Sequence, residues 1–307
     1  MTTPASDPTA ASDPTAASDG AAQADPTGEA DPTAEADPTA EAAGAARPPE
    51  RHEHFPVDGA VEVEIHLGSG SLRVELLADA TAVEVSVVAG QGSWWQQGWS
   101  GGLSGVLAML GAQATDTAAA PSSAGGGTEA LAATQIAYSP TRGRLIVRGP
   151  QMGPARAVPL HVRITAPAES HLRTRTGSAP VEVTGTAASV DLSAGSGDVT
   201  VQDVKRGVDV RTGSGAVRTG RLAQGGRIRT GSGDLVIDAA LGDVDLTTGS
   251  GDLRIGIAAG VLAELDVRSG AGTARSELPL TTEAAAGGTA RVRARTGSGN
   301  AVVHAAR

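Results

Sequence analysis

Apolar and polar residues alternate along short runs of the chain, and these runs recur at a regular interval. Val190 and Leu192 are separated by one polar residue, and Val208 and Val210 repeat the pattern eighteen residues later. Alternation with a period of two is typical of a β-strand that buries one face. The pattern therefore predicts a series of short strands, each four or five residues long.

Glycine separates successive runs with the same period of eighteen residues. The five strongest positions, each followed by serine, are Gly177, Gly195, Gly213, Gly231 and Gly249. Weaker copies of the motif begin at Leu67, Ser269 and Thr296. Sharp turns need glycine where φ is positive or where no Cβ fits. Each repeat unit is therefore interpreted as a strand, a Gly-Ser-Gly turn, a second strand and a second turn.

Two topologies fit such repeats. In a parallel β-solenoid each unit is one coil, whereas in an antiparallel meander each unit is a hairpin. The identical length of successive units favours the solenoid, because each coil then buries its inward apolar positions against its neighbours. We therefore expect an all-β protein, a right-handed parallel β-helix or β-solenoid with 18-residue coils, preceded by a disordered acidic tail.

Changes in this pattern divide the chain into three segments. Residues 1–55 are predicted to be a disordered, low-complexity acidic tail, because they hold almost no large apolar side chain to bury. Residues 56–170 are predicted to be the N-terminal β part of the solenoid, where alternating runs lack the strict period and an insertion interrupts them at about 90–133. Residues 171–307 are predicted to be the regular repeat solenoid.

The charge of the chain is unevenly distributed. The net charge is -10, and residues 1–46 hold six aspartates and three glutamates without any lysine or arginine. The remaining body is close to neutral, so nothing indicates a nucleic-acid partner. The absence of cysteine excludes disulfides and thiolate chemistry. Since neither a leader-like segment nor a long apolar run is seen, a cytoplasmic location is expected.

The segment VRITAPAESHLRTRTGSAPVEVTG, followed by tandem TGSGDL units, resembles the bacterial DUF4097 family of adhesin-like β-strand repeat proteins. The resemblance spans roughly Val57 to Arg307 and is strongest from Val162 to Ile255. It implies a β-helix-like fold, no established enzymatic activity and an association with the bacterial cell envelope. This sequence departs from the envelope-anchored members in lacking a membrane segment.

The strongest candidates for chemistry are aspartates at one repeat position. Asp198, Asp234 and Asp252 each follow a Gly-Ser-Gly turn, with Ala216 in the intervening unit. Two carboxylates about 5 Å apart on adjacent coils can serve glycoside hydrolysis. The structural alternative is that an aspartate after glycine accepts backbone N–H bonds. We expect the structural role, because no aromatic platform for a sugar accompanies the aspartates, and we predict no catalytic residue.

Metal and cofactor sites are not expected either. A coil made of two nonapeptides also describes calcium-binding β-rolls, but the second half of each unit lacks the matching glycines. His52 and His54 flank Glu53 without a third convergent ligand. No nucleotide-binding or acyl-transfer motif is present.

Charged side chains occupy the outward positions of the repeat. One outward position holds Asp191, Asp209, Arg227 and Asp245, and it lies beside a position that holds Ser193, Arg211, Arg229 and Thr247. Opposite signs on neighbouring rungs avoid like-charge stacking. We interpret these side chains as a solvated, structural face.

The insertion differs in composition from the repeats. It holds all three tryptophans, Trp94, Trp95 and Trp99, and apolar residues at helical spacing follow from Leu103. Such a segment can cap the strand edges at the end of a solenoid, bind a partner or lie at a membrane interface. We expect a cap or packed loop, and the three tryptophans are the alternative partner contact. Membrane contact is disfavoured, because no basic face accompanies them.

The sequence thus predicts a non-enzymatic, adhesin-like interaction or scaffold protein whose partner is a protein or a cell-envelope component. The alternative is a carbohydrate-active β-helix protein that cleaves or binds a glycan through the stacked aspartates. An enzyme needs Asp234 and Asp252 to converge in a groove, whereas a structural role leaves both bonded to backbone. The sequence specifies neither the identity of the partner nor the oligomeric state.

Overall fold

A computed structural model describes residues 49–90, 124–279 and 288–306, and most of them belong to β-strands. The strands form one continuous hydrogen-bonded sheet. They are β1 (Glu50–Pro56), β2 (Glu62–Leu77), β3 (Ala82–Ala89), β4 (Gln135–Ser139), β5 (Arg144–Arg148), β6 (Leu160–Pro167), β7 (His171–Ser178), β8 (Val181–Ser196), β9 (Val199–Ser214), β10 (Val217–Leu222), β11 (Gly225–Ser232), β12 (Leu235–Ala240), β13 (Asp243–Ser250), β14 (Leu253–Ile257), β15 (Leu262–Ala271), β16 (Ala274–Ser276), β17 (Thr289–Ser298) and β18 (Ala301–Ala305). A ten-residue helix, α1 (Ala124–Ala133), precedes β4. The all-β class predicted from the alternation is confirmed.

Successive repeat units pair as parallel strands in register. Val199, Val217 and Leu235 stand side by side on neighbouring strands, although each is eighteen residues from the next. Equivalent residues therefore stack, which is the arrangement of a solenoid and not of a hairpin meander. Neighbouring strands of a sheet lie about 4.8 Å apart, so each repeat adds one rung to the stack.

Each unit contributes two strand segments to the stack. The segments before the Gly-Ser-Gly turn, among them β7, β11 and β13, form what we call the pre-turn face. The segments after the turn, among them β10, β12 and β14, form the post-turn face. Strands β2, β8 and β9 are each sixteen residues long and contribute to both faces.

The core is filled by the alternate residues that the sequence pattern marks as apolar. Leu192, Val210, Ile228 and Leu246 form one inward column of the pre-turn face, and none is more than 1% exposed. Burial of a side chain of this size contributes about 1.5–3 kcal/mol to stability. The stacked aliphatic columns therefore hold the repeats together without disulfides.

A buried threonine ends the inward column of most pre-turn strands. Thr212, Thr230, Thr248 and Thr296 each donate a hydroxyl hydrogen bond to the carbonyl oxygen of the serine two residues later, at 3.0 or 3.1 Å. A buried hydroxyl needs such a partner, and the bond also closes the turn. The recurrence of Thr-Gly-Ser thus has a structural cause.

The N-terminal end of the stack departs from parallel pairing. Strand β6 pairs in parallel with β2 but antiparallel with β3, and β3 in turn pairs antiparallel with β1. Strand β4 is antiparallel to β5. The alternating runs between residues 61 and 167 are thus confirmed as strands, in an irregular arrangement. Strand β1 begins at Glu50, within the segment 1–55 that the composition assigns to the tail.

Helix α1 belongs to the predicted insertion and packs against this end of the sheet. Ala130 is fully buried, and a Cβ added to Gly127 would lie 3.3 Å from Ala89 Cβ. The Thr134 hydroxyl donates to the Ala130 carbonyl oxygen at 2.8 Å, and the Thr134 carbonyl accepts from Arg51 Nη1 at 2.8 Å. The C-terminal part of the insertion is therefore packed against the sheet.

At the opposite end, the order of the coils in space differs from their order along the chain. Strand β17 pairs with β13 on one side and with β15 on the other, so Val292 stands between Val244 and Leu265. Strand β18 likewise lies between β14 and β16. The last coil is therefore inserted between the two coils that precede it, and β15 and β16 form the outer edge of the described sheet.

Candidate functional site

The stacked aspartates are hydrogen-bond acceptors for the backbone of the neighbouring coil. Asp198 Oδ1 accepts from the Ala216 N–H at 2.9 Å, and Asp234 Oδ1 accepts from the Asp252 N–H at 2.8 Å. Asp252 Oδ1 accepts in turn from the Asn300 N–H at 2.8 Å. Each carboxylate thus bonds its coil to the next one. This geometry favours the structural role predicted for the aspartates over the convergent pair that glycoside cleavage needs.

The side chains of this column act as hydrogen-bond acceptors, and an acceptor here does not have to carry a negative charge. Asn300 occupies the same position, and its Oδ1 accepts from the Thr273 N–H at 3.1 Å. A neutral amide therefore does what a carboxylate does on the neighbouring rung. Ala216 has no side-chain acceptor to offer to the N–H of Asp234 on the next coil.

We expect Ala216→Asn to raise the free energy of unfolding by about 0.5–1 kcal/mol, the net contribution of a typical intramolecular hydrogen bond. The new amide oxygen would accept from the Asp234 N–H, and asparagine avoids placing a third charge beside Asp198. Urea unfolding followed by circular dichroism measures the change. Ala216→Leu is the matched control, because it adds similar bulk without an acceptor. An equal gain from leucine would contradict the ladder.

Histidines of the described ranges take part in pairwise contacts. His52 Nε2 lies 2.8 Å from Glu50 Oε1 on edge strand β1, and His171 Nδ1 lies 2.7 Å from Ser189 Oγ on the next coil. Nowhere in those ranges do three metal-ligating side chains come together. The first contact lies within one strand and the second joins neighbouring strands, so both belong to the packing of the sheet.

A groove of about 570 Å³ crosses the outside of the post-turn face near its N-terminal end. We call it the outer groove. Six of the polar or charged residues that line it are Ser71, Arg73, Ser86, His161, Arg163 and Glu182. Its floor includes β3 and β6, which pair antiparallel, so part of it lies outside the repeating parallel ladder. We take the outer groove as the candidate functional site.

Charged side chains along the outer groove pair with one another. Arg73 donates to Glu182 Oε2 from Nε at 2.9 Å and from Nη2 at 2.6 Å. Ser86 Oγ donates to Glu50 Oε1 at 2.9 Å. The groove therefore offers a balanced set of donors and acceptors instead of a field of one sign. This balance suits a polar, uncharged segment, such as a peptide backbone or a neutral glycan.

One pair in the outer groove joins a hydroxyl to an imidazole. Ser71 Oγ and His161 Nδ1 are 2.7 Å apart, and burial lowers the pKa of His161 below its ordinary value. The ring is therefore neutral at pH 7. Because Ser71 and His161 stand opposite each other on the paired strands β2 and β6, we interpret the contact as a cross-strand pair. It leaves a neutral imidazole at the edge of the groove.

The pre-turn face carries a carboxylate that its basic neighbours cover. Glu64 points outward, yet only 8% of its side chain is exposed. Its Oε2 accepts from Arg144 Nη2, and its Oε1 lies 3.1 Å from both Arg148 Nη2 and His66 Nε2. Burial would raise the pKa of Glu64, but the hydrogen bonds from Arg148 and Arg144 outweigh that effect and lower the pKa.

We expect Glu64→Gln to destabilise the protein at pH 7 by about 1.5–3 kcal/mol, the range for hydrogen bonds to charged groups. The pKa of Glu64 is lower in the folded state than its ordinary value of 4.5. Its stabilisation is therefore complete above that pH and is lost as the pH falls through the folded pKa. Urea unfolding at pH 7 and pH 3.5 should show the difference between wild type and variant shrinking in acid.

Glu62→Gln is the matched control for this pH dependence. Glu62 lies on the same strand, but 40% of its side chain is exposed and its oxygen is 3.8 Å from Arg144. Exposed pairs of this kind contribute about 0–1 kcal/mol. A Glu64→Gln effect that is equally large at both pH values would contradict the role assigned to the ionised carboxylate.

The three tryptophans predicted as a partner contact, Trp94, Trp95 and Trp99, lie outside the described residues and stay a prediction. The chain enters their segment at Gly90, beside the outer groove, where an added Cβ would lie 3.2 Å from His161 Nε2. Over the ranges that the structure describes, no helix combines the length and the apolar character needed to cross a lipid bilayer.

Sequence reasoning missed the outer groove because its residues come from six strands without a common spacing. The individual strands were visible as alternating runs, and His161 lies in one of them. The antiparallel pairing of β3 with β6 brings these runs together. No local signal in the sequence specifies that pairing.

Comparison with known proteins gives one family and several solved structures. The family model described as Toastrack DUF4097 matches residues 131–304, and no curated protein matches the sequence. A candidate adhesin from Bacteroides fragilis is 13% identical, with 83% of this chain and 97% of that chain covered and a TM-score of 0.44. A candidate cell adhesion protein from Clostridium sporogenes is 11% identical, with 84% and 99% covered and a TM-score of 0.37.

Proposed function

The chain belongs to the Toastrack DUF4097 family, and on this premise we propose that it is a non-enzymatic, adhesin-like interaction or scaffold protein. Its partner is a protein or a component of the bacterial cell envelope, and the outer groove is the contact surface. The proposal includes a right-handed solenoid with 18-residue coils as the scaffold, and Trp94, Trp95 and Trp99 as a second partner contact. The acidic tail predicted from the composition lies outside the described residues as far as residue 48 and stays a prediction.

The observation that carries the proposal is the outer groove. It collects hydroxyl, imidazole, guanidinium and carboxylate groups on one side of a rigid sheet. Its ion pairs, such as Arg73 with Glu182, are half exposed, so they can exchange partners at little cost. A sheet that already holds such groups in place loses little side-chain entropy when a partner docks.

The repeat chemistry supports a scaffold and not an enzyme. Asp198, Asp234 and Asp252 each use Oδ1 to bond the neighbouring coil. A general acid or nucleophile at these positions would have to give up that bond. The aspartate column is therefore better explained by coil stacking than by glycoside cleavage.

Site-specific photo-crosslinking in the native cell tests this function. A photo-crosslinking amino acid at Thr200, an exposed residue of the outer groove, should give a discrete adduct that is absent without irradiation. The same amino acid at Arg254, an exposed position three coils away on the same face, is the control. Adducts of equal yield at both positions, or none at Thr200, would contradict the assignment of the groove.

Cell fractionation distinguishes an envelope location from a cytoplasmic one. Recovery with the envelope supports the association that the family resemblance implies. Recovery in the cytoplasmic fraction supports the location expected from the sequence, with a cytoplasmic partner. The adduct at Thr200 then identifies the partner in either fraction.

A further inference from the structure

One outward position of the pre-turn face stacks basic residues along the whole length of the described sheet. On eight rungs the position precedes the first glycine of a turn by two residues, and pairing register adds Arg148 beside His66 as the ninth consecutive rung. The nine residues are Arg148, His66, Arg175, Ser193, Arg211, Arg229, Thr247, Arg295 and Arg268. We call this column the arginine stripe, and it contains six arginines and no acidic residue.

Stacking like charges on neighbouring rungs is unfavourable for the free protein. Arg211 stands directly beside Arg229, and Arg295 stands beside Arg268. Like charges opposite each other on paired strands destabilise a sheet. Ser193 and Thr247 occupy the same position, so the fold accepts small neutral residues there. Folding therefore does not explain why arginine occupies these positions.

The adjacent outward column shows the contrast. It mixes signs, and its charges pair between neighbouring rungs, as Arg173 Nε does with Asp191 Oδ2 at 3.5 Å and Arg227 Nε with Asp245 Oδ2 at 3.5 Å. That column behaves as the solvated, structural face that the sequence predicts. The arginine stripe does not, and its full length becomes visible only when the register joins the irregular ends to the regular repeats.

The guanidinium groups of the stripe are accessible. Arg175 and Arg229 are exposed and make no ion pair with any residue of the described ranges. Arg211 lies 2.9 Å from Asp209, and Arg268 lies 2.8 Å from Asp266, with more than half of each arginine side chain exposed. Exposed pairs contribute only about 0–1 kcal/mol, so an incoming anion can replace these carboxylates.

From this arrangement we propose that the arginine stripe binds a linear polyanion along the axis of the stack. Arg148 and His66 are engaged with Glu64, so the seven rungs from Arg175 to Arg268, about 4.8 Å apart, give a basic track roughly 29 Å long. Guanidinium groups bind phosphate and carboxylate oxygens through paired N–H bonds. A chain with closely repeated anionic groups contacts several rungs at once. After its first group is bound, the other groups are held near the remaining rungs at a high effective concentration, so each further contact forms more readily.

The surroundings of the stripe select a narrow ligand. Beyond the Gly-Ser-Gly turn lies the acidic column of Asp198, Asp234 and Asp252, and on the other side lies the mixed column. A broad anionic surface such as a membrane would meet these carboxylates, whereas a single chain would not. The nine positions hold no phenylalanine, tyrosine or tryptophan, so they lack the large stacking platforms typical of single-stranded nucleic-acid sites.

Binding of inorganic polyphosphate to the full chain tests the proposal. Fluorescence anisotropy of labelled polyphosphate should show saturable binding that weakens as salt increases, with a smaller salt slope in the triple variant R175Q/R211Q/R229Q. That variant should bind about tenfold or more weakly at low salt. The control triple R218Q/R221Q/R254Q removes the same charge from the post-turn face and should change affinity by less than about twofold.

Each outcome bears on the stripe directly. Equal weakening of polyphosphate binding by both triple variants would overturn the proposed role of the stripe, because only net charge would then matter. An absence of polyphosphate binding by the wild type would overturn it as well. Stronger binding to phosphatidylglycerol vesicles than to polyphosphate, lost in R175Q/R211Q/R229Q, would overturn the linear ligand in favour of a membrane surface. Unchanged thermal unfolding of the variant confirms that lost binding is not lost folding. The outer groove lies on the other face, so this test and the Thr200 crosslink fail independently.

Discussion

Replacing Gly233 by alanine is expected to destabilise the protein by about 3 kcal/mol or more. Gly233 is the second glycine of a Gly-Ser-Gly turn, and its φ of +141° lies where L-residues are strained. An added Cβ would also lie 2.1 Å from the carbonyl oxygen of Gly215 on the neighbouring coil. Because that oxygen belongs to backbone, a whole coil would have to move to relieve the clash.

Three other glycines separate the two penalties. Gly231→Ala tests close approach alone, because its φ lies outside the left-handed region and its Cβ would lie 2.5 Å from the Gly213 carbonyl oxygen. Gly143→Ala tests φ alone, at +56° with no atom within 4 Å of the new Cβ. Gly207→Ala tests neither, because its φ lies outside the left-handed region and no atom lies within 4 Å.

Urea unfolding should therefore rank the four variants. Gly233→Ala should cost most and Gly231→Ala next, followed by Gly143→Ala at about 1 kcal/mol. Gly207→Ala should lie within about 0.5 kcal/mol of wild type. If Gly231→Ala were as harmless as Gly207→Ala, the close stacking of turns could not be the reason that glycine recurs there.

These glycines show which part of the turn geometry could be predicted from the sequence. Both reasons for glycine, positive φ and close approach, follow from the repeat itself. Only the structure assigns close approach without positive φ to the first glycine, such as Gly231, and both reasons to the second, such as Gly233. The sequence could not make this assignment, because the two carbonyls that these glycines approach belong to a neighbouring coil, and the local sequence does not describe the position of that coil.

The period of eighteen residues was enough to predict parallel stacking. When every unit has the same length, equivalent residues come to the same place on each coil, as Val199, Val217 and Leu235 do. The aspartate column could also be predicted, since Asp198 and Asp234 share a repeat position. Its role needed the distances to the N–H groups of Ala216 and Asp252.

Pairings outside the period could not be predicted. The strand β3 alternates as any half-buried strand does, and nothing in that pattern distinguishes an antiparallel neighbour from a parallel one. The outer groove depends on this pairing. The arginine stripe depends likewise on the register that joins His66 and Arg148 to Arg175, across a stretch of chain in which the interval is broken.

The order of the last coils is the largest feature that the sequence does not reveal. Gly270 and Gly297 break the interval of eighteen residues that ends at Gly249, so an irregularity is visible there. The two turns are similar enough that either could stack on Gly249. In the structure Gly297 does so, with the position of its Cβ 2.6 Å from the Gly249 carbonyl oxygen, and Gly270 stacks on Gly297.

Removing residues 279–307 should therefore do more than shorten the stack. The deletion takes away β17 and β18 from between two coils, with the fully buried side chains of Val292 and Val303. It also leaves β15 without its described partner. We expect a loss of about 4 kcal/mol or more in the free energy of unfolding. Hydrogen exchange should show that the amides of Leu262–Ala271 lose their protection although every one of those residues is retained.

Disulfide trapping distinguishes this order from a stack that follows the chain. The native sequence has no cysteine, so pairs can be introduced without competition. Thr247 pairs with Arg295, which in turn pairs with Arg268. The pair Thr247→Cys with Arg295→Cys stands on neighbouring rungs about 4.8 Å apart, within the range for a disulfide. The pair Thr247→Cys with Arg268→Cys is two rungs apart and should stay reduced under the same oxidation.

A stack that follows the chain predicts the opposite result. Thr247 and Arg268 would then be neighbours, and Arg295 would lie two rungs from Thr247. The first pair should therefore oxidise almost completely and the second hardly at all, because two rungs, roughly 9.6 Å, exceed the reach of a disulfide. Efficient trapping of the second pair would place β15 against β13 and would remove the basis for the truncation effect.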